Sequence, residues 1–136
     1  MIAVVLDTNT LVSGFGWSGP PSRVVDLVLD GQLLLAASPA LLDELERVLS
    51  YPKLAGVFRD PASIVAPVRE VADIVDPEHA LSVVADEPDN RVLEAAVEAR
   101  VDAVVTGDSG LLALEFYDGI PILDAAAFLD WLPAAP

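Results

Sequence analysis

The sequence predicts an α/β domain with a parallel sheet covered by helices, and three observations support this. Short apolar runs at residues 2–6, 33–37 and 101–106 lack the polar alternation of a sheet with one wet face. Helical segments alternate with these runs, as right-handed crossovers between parallel strands require. The chain has 136 residues, of which 54% are hydrophobic, so we expect one domain over residues 1–136 with a substantial core.

Caps, prolines and glycines place the elements in chain order. Ser or Asp before a proline marks a helix start, while Gly31 and Pro52 mark helix ends. Pro121 favours an edge position for the last strand, and residues 81–85 are either a strand or a connection. The predicted helices cover residues 20–29, 39–50, 61–72, 86–100, 111–114 and 125–132, and the predicted strands cover 2–6, 33–37, 73–76, 101–106 and 120–123.

The charge balance excludes a basic nucleic-acid-binding surface. Seven Lys and Arg residues face 22 Asp and Glu residues, which gives a net charge of −15. Most of the acids are expected on solvated helix faces, with some concentrated in a metal site or attracting a basic partner. The absence of cysteine excludes disulfides and thiolate zinc sites. No apolar run has membrane-spanning length, so we expect a soluble cytoplasmic protein without a membrane partner.

Two aspartates occupy equivalent positions at strand ends. Asp7 and Asp108 each follow an apolar strand and precede a helix. If their strands are neighbours where the strand order reverses, both carboxylates face one crevice. The alternative is that each one only caps the helix after it. Two such aspartates together favour a site.

Other acids are ambiguous when taken alone. Asp89 lies in the first turn of a helix, where Asp86 and Asp89 resemble a capping pair; the functional alternative is that this helix start brings Asp89 to the same sheet edge. Glu44 and Glu46 border the apolar stripe of the helix at 39–50, and periodicity does not choose between them. Asp124 is interpreted as a helix cap. His79, the single histidine, is interpreted as a loop residue, which sets histidine-based triads aside.

Four segments of the chain carry a family resemblance. They are residues 6–9 (Leu-Asp-Thr-Asn), 38–45 (Ser-Pro-Ala-Leu-Leu-Asp-Glu-Leu), 86–90 (Asp-Glu-Pro-Asp-Asn) and 105–112 (Val-Thr-Gly-Asp-Ser-Gly-Leu-Leu). In this order the segments resemble PIN-domain ribonucleases, and among these the VapC-like toxins of bacterial toxin–antitoxin pairs. The resemblance covers essentially the whole chain.

The resemblance implies a three-layer α/β/α sandwich, with a five-strand parallel sheet in the order 3-2-1-4-5, and an endoribonuclease dependent on Mg²⁺ or Mn²⁺. It also selects Glu44 over Glu46. Many relatives have a further acid where this chain has Gly110, and Asp86 is a candidate substitute. The implied catalytic and metal-binding residues are Asp7, Glu44, Asp89 and Asp108, with Asn9 and Thr106 as supporting polar groups.

This constellation suits phosphodiester hydrolysis. Mg²⁺ prefers oxygen ligands, and metal neutralises charge on the phosphate and activates water. Without metal, clustered carboxylates repel one another, so at least one pKa should be raised. The implied partners are RNA, a cognate antitoxin docked on residues 21–29 and 61–72, and a second copy in a homodimer. Candidate contacts to the RNA backbone are Arg23, Arg47, Lys53, Arg59 and Arg91.

Two alternatives belong to other functional classes. A haloacid-dehalogenase-like phosphohydrolase would share the strand-end Asp7, but it needs a second aspartate where Asn9 stands and a lysine that Lys53 is badly placed to supply. A non-catalytic PIN-like binding module would explain Gly110 and the acidic surface, although it would not need all four acids.

Overall fold

Strand β1 (Ala3–Leu6) lies at the centre of a six-stranded sheet in the computed structural model, which describes residues 1–133. The sheet order is β3-β2-β1-β4-β6-β5. The remaining strands are β2 (Leu34–Ala37), β3 (Asp73–Ile74), β4 (Ala103–Val105), β5 (Phe116–Tyr117) and β6 (Ile120–Leu123). The helices are α1 (Thr8–Gly16), α2 (Pro20–Leu29), α3 (Pro39–Leu49), α4 (Ala62–Val71), α5 (Glu87–Ala99), α6 (Ser109–Leu112) and α7 (Ala125–Trp131).

The predicted α/β class and the order of the parallel strands are confirmed. All pairings among β3, β2, β1, β4 and β6 are parallel. The strand count of five is wrong, because β5 pairs antiparallel with β6 as a sixth strand. Residues 81–85 form no strand, and the strand predicted at 73–76 is shortened to Asp73–Ile74.

The β5–β6 hairpin also corrects the edge position predicted for residues 120–123. Its turn contains Asp118 and Gly119, whose φ values of 52° and 77° match the Asp-Gly pair that two-residue hairpins favour. Pro121 lies opposite Phe116, and the neighbouring backbone bond runs from Ile122 N to Glu115 O at 2.9 Å. The sheet therefore tolerates Pro121 inside a two-residue ladder, one strand away from the edge.

Two apolar clusters cover the two faces of the sheet. Val4 and Leu6 of β1 pack with residues of α1, α2, α3, α4 and α7, whereas Val5 packs with residues of α5 and α6. Side chains along a strand alternate between faces, so apolar residues at successive positions of β1 fill both layers. This three-layer packing explains why the run carries no polar alternation.

Helices α1 and α2 pack closely at Gly14. A Cβ atom at Gly14 would lie 2.8 Å from Pro21 O and 2.4 Å from Val25 Cγ2. Glycine therefore lets the start of α2 lie directly against α1. None of the helices within residues 1–133 combines the length and the apolar composition needed to cross a bilayer.

Candidate metal centre

Neighbouring strand ends bring two of the predicted acids to one edge of the sheet. Leu6 of β1 is paired with Val105 of β4, and Asp7 N donates to Val105 O at 3.2 Å. Asp7 and Asp108 are the N-caps of α1 and α6. The sheet order reverses between β1 and β4, which is where an open α/β sheet forms its ligand crevice.

Thr106 connects Asp7 with Asp108. Asp7 is 5% exposed, and its Oδ1 accepts a hydrogen bond from Thr10 N at 2.9 Å. Its Oδ2 accepts a hydrogen bond from Thr106 Oγ1, and Thr106 Oγ1 in turn accepts one from Asp108 N at 3.0 Å. Asp108 Oδ2 accepts from Leu111 N at 2.9 Å. Both carboxylates therefore cap their helices, and both are held in one orientation near each other.

Asp86, Asp89 and Asp108 form a cluster of three carboxylates. Each offers one oxygen, and these oxygens lie within 4.8 Å of one another. Asp86 occupies the N-cap position of α5, but its side chain makes no capping hydrogen bond, which counts against its interpretation as part of a capping pair. Hard oxygen donors at such separations fit Mg²⁺ or Mn²⁺, which need only a few carboxylates beside water and substrate oxygens.

The pKa of Asp89 reflects the burial and the negative charge of this cluster. Desolvation by burial, a side-chain hydrogen bond with Asp108 and the negative charges of Asp108, Asp86 and Asp7 raise the pKa of Asp89 from 3.8 to about 7. One raised pKa is what the clustering of carboxylates predicts, but burial contributes more to it than the neighbouring charges do. A divalent cation would oppose each of these charges, so the cluster favours cation binding.

Glu44 lies beside the same sheet edge through a different contact. Glu44 Oε2 accepts a hydrogen bond from Thr8 Oγ1 at 2.8 Å, and the buried Thr8 directly follows Asp7. Glu46 is exposed and lies 4.0 Å from Arg69 NH2 on the protein surface. The two glutamates that periodicity left equivalent therefore differ in surroundings, and only Glu44 contacts the segment that carries Asp7.

Not every predicted site residue joins the three-carboxylate cluster. Within residues 1–133, Asp7 and Glu44 lie outside it. Asn9 is exposed and lines an adjoining cavity together with Thr106. Gly110 lies beside Asp108, since a Cβ there would lie 3.1 Å from Asp108 Oδ2. Position 110, where the resemblance predicts a further acid, thus adjoins the cluster in this chain.

Asn90 is a positioning residue that sequence reasoning missed. It is fully buried, and its Oδ1 accepts from Val83 N at 2.9 Å and from Val84 N at 3.0 Å. Its Nδ2 donates to Val84 O at 2.9 Å. These bonds fix the segment that leads into Asp86. An asparagine three residues before Leu93, on the apolar stripe of α5, was the signal available in the sequence.

We expect Asn90→Ala to lower the free energy of unfolding by about 1–3 kcal/mol, because it removes three hydrogen bonds to partly buried backbone groups of residues 83–84. The substitution should also weaken Mn²⁺ binding, since the backbone that leads into Asp86 would no longer be held in place by Asn90. Urea unfolding and a Mn²⁺ titration measure the two effects. A substitution that leaves both values unchanged would remove Asn90 from the site.

Of the two arginines that line the cavity beside Glu44, Arg91 is engaged with acidic residues. Arg91 NH2 lies 2.9 Å from Glu94 Oε2 and 3.3 Å from Glu87 Oε2, and it donates a hydrogen bond to Leu81 O. Arg47 lines a cavity of about 310 Å³ that is also lined by Glu44 and Arg91.

Asp124 caps α7 by accepting a hydrogen bond from Ala127 N, as the sequence predicts.

Comparison with known proteins gives the same fold and a family. The PIN domain family matches residues 3–110, which is more than half of the chain. An uncharacterised protein of Methanocaldococcus jannaschii is 29% identical over 117 residues, covering 83% of this chain and 75% of that protein.

Two solved structures are similar in fold. VapBC2 from Rickettsia felis, bound to a DNA fragment from its promoter, aligns with a TM-score of 0.61 and 14% identity over 89% of this chain and 97% of the other. FitAcB from Neisseria gonorrhoeae aligns with a TM-score of 0.56 and 17% identity over 90% and 98%. The strand order, the acidic crevice and the match over residues 3–110 lead to one conclusion: the chain belongs to the PIN-domain family, whose members are generally nucleases.

Proposed function

We propose that the chain is an endoribonuclease that hydrolyses RNA phosphodiester bonds with Mg²⁺ or Mn²⁺, and that it is the toxin of a toxin–antitoxin pair. The observation that carries the proposal is the convergence of the Asp86, Asp89 and Asp108 carboxylates beside the hydrogen-bonded Asp7. PIN-domain membership makes nuclease chemistry the expected use of this site.

The proposed ligand residues are Asp7, Asp89 and Asp108, with Glu44 on the side of Thr8 and Asp86 in the role that an acid at position 110 has in many relatives. Hydrogen bonds from Thr10 N, Thr106 Oγ1 and Leu111 N hold Asp7 and Asp108 before any ligand arrives. Such preorganisation lowers the reorganisation needed during reaction. When bound, the metal supplies charge neutralisation at the phosphate and activation of the attacking water.

Because the net charge is −15, a bound metal would also assist the binding of RNA. Polyanionic RNA is repelled by an acidic protein, and few Lys or Arg residues remain to contact its backbone. Arg91 is already paired with two glutamates, which leaves Arg47 as the better-placed cation near Glu44. Substrate binding should therefore depend on divalent cations as strongly as the chemical step does.

The proposed partners rest on the resemblance to VapC-like toxins and on the fold shared with VapBC2 and FitAcB. A cognate antitoxin would dock on α2 and α4, where Leu29 and Val71 are exposed at the helix ends. Homodimerisation is proposed on the same fold analogy. The proposed location of this complex is the cytoplasm.

The phosphohydrolase alternative has less support. Lys53 lies exposed in a short 3₁₀ turn at Pro52–Leu54, and the PIN-domain match describes a different family. A non-catalytic module remains the contrasting proposal, and metal-dependent cleavage separates the two. The test is incubation of total RNA with Mg²⁺ or Mn²⁺, with and without EDTA. We expect cleavage that EDTA abolishes; cleavage that persists in EDTA would contradict the proposal.

A matched pair of substitutions on α3 tests the choice of glutamate. We expect Glu44→Gln to lower the cleavage rate by about ten- to a hundredfold, because it removes one negative oxygen beside Thr8. Glu46→Gln, an equal change of charge on the exposed side of α3, should stay within about twofold. Equal losses in both variants would assign the effect to general surface charge.

A further inference from the structure

A cavity of about 270 Å³ adjoins the metal centre on the side of α7, and no proposed ligand role accounts for it. It lies between the start of α7, the start of α2 and the first turns of α1. It shares Thr10 and Thr106 with the hydrogen bonds that hold Asp7. Its lining includes Asn9, Ser13, Pro20, Pro21, Thr106 and Asp124.

The chemistry of the lining disfavours phosphate and suits an uncharged heteroaromatic ring. Among the described residues that line the cavity, none is Lys, Arg or His, and the charged residue is Asp124. An anion would therefore be repelled. Pro20 and Pro21 provide apolar walls with no N–H groups to satisfy. Apolar walls with a few convergent polar groups are typical of small-ligand pockets.

Two exposed polar residues of the lining, Asp124 and Asn9, can select the edge of that ring. Asp124 Oδ1 accepts from Ala127 N at 2.7 Å, while no hydrogen bond within residues 1–133 uses its Oδ2. A carboxylate oxygen only accepts, so its partner must present a donor, and on a nucleobase the donors are N–H groups. The exposed Asn9 adds an amide with both a donor and an acceptor.

We infer that this cavity binds a nucleobase of the substrate, next to the cleaved phosphate, and that Asp124 selects a base carrying an exocyclic amino group. Cytosine presents an N–H₂ donor where uracil presents a carbonyl oxygen, so a carboxylate distinguishes the two. This inference rests on the proposed function, since it assigns the substrate's base to a subsite of the same enzyme. Asp124 is then a specificity-determining residue as well as a helix cap.

The first test is binding of the nucleosides cytidine and uridine in EDTA, followed through the amide NMR signals of Ala125 and Ala126. Nucleosides carry no phosphate, so this test is independent of metal and of cleavage. We expect cytidine to bind with a Kd about tenfold lower than uridine. Absence of binding by either nucleoside would overturn the inference even if the protein cleaves RNA. Cytidine binding without RNA cleavage would overturn the proposed function alone.

The second test inverts the preference. Asp124→Asn keeps a side-chain oxygen for the cap of α7, because Asn is as good an N-cap as Asp, and directs an amide donor into the cavity. We expect this variant to prefer uridine over cytidine, and to cleave matched oligonucleotides with the same inverted preference at one position beside the cleaved bond. Asp130→Asn, an equal charge change on α7 outside the cavity lining, should keep the original preference. An unchanged preference in Asp124→Asn would contradict the assignment.

Discussion

Asp108→Asn is expected to lower RNA cleavage by at least about a hundredfold while leaving the fold intact. Loss of an outer partner of a metal ligand already costs about 10–100-fold in affinity or activity, and Asp108 is placed here as a ligand itself. Asn retains the oxygen that accepts from Leu111 N, so the cap of α6 is preserved. The effect therefore isolates the charge of the carboxylate from its structural role.

Single-turnover cleavage of a labelled RNA at saturating Mn²⁺ measures this effect, and circular dichroism checks the fold. Asp130→Asn is the matched control, since it removes one exposed carboxylate without touching the cluster. We expect the control to stay within about twofold of the wild-type rate. An Asp108→Asn protein that keeps a third or more of the wild-type rate would show that the reaction uses another site.

Metal affinity should fall as the pH decreases below 7. Because the pKa of Asp89 is raised to about 7 in the metal-free protein, its carboxyl holds a proton that the metal must displace. The apparent Kd for Mn²⁺ should rise about tenfold for each pH unit below 7 and level off above it. Calorimetric titrations between pH 5.5 and 8 measure this, and proton release can be read from buffers of different ionisation enthalpy. A Kd that is constant over this range would contradict the placement of Asp89.

The same raised pKa predicts an effect on the stability of the metal-free protein. An unfolded Asp89 ionises near 3.8, so between this pH and about 7 the folded state holds a proton that the unfolded state has lost. The stabilising contribution of the protonated carboxyl is complete below the lower value and is lost as the pH rises through the higher one. Asp89→Asn should therefore raise the Tm at pH 8 more than at pH 5.

Much of the fold was predictable because the local sequence and the packing agree. The β1 run is apolar at successive positions because helices cover both faces, and Ser38-Pro39 and Asp124 start helices by capping them. The β5–β6 hairpin was missed because its ladder has two residues per strand, too few for a period to show. Its Asp118-Gly119 turn was the available signal.

The site was less predictable, because its residues are far apart in the sequence and come close together only in the folded chain. Equivalent strand ends placed Asp7 and Asp108 correctly at one edge of the sheet, since β1 and β4 are neighbours. Periodicity did not separate Glu44 from Glu46, because both border the same buried stripe, and the contact with Thr8 becomes visible only in three dimensions. Asn90 binds the backbone of residues 83–84, which form neither a helix nor a strand, so no periodic spacing in the sequence indicates this contact.

Anomalous diffraction from crystals grown with Mn²⁺ would show whether the carboxylates of Asp7, Asp86, Asp89 and Asp108 form one metal site. We expect a saturable peak at bonding distance from oxygens of Asp89 and Asp108, with Asp7 or Asp86 completing the protein ligands, and loss of that peak in Asp89→Asn. A peak bound elsewhere, or the same peak in Asp89→Asn, would contradict it.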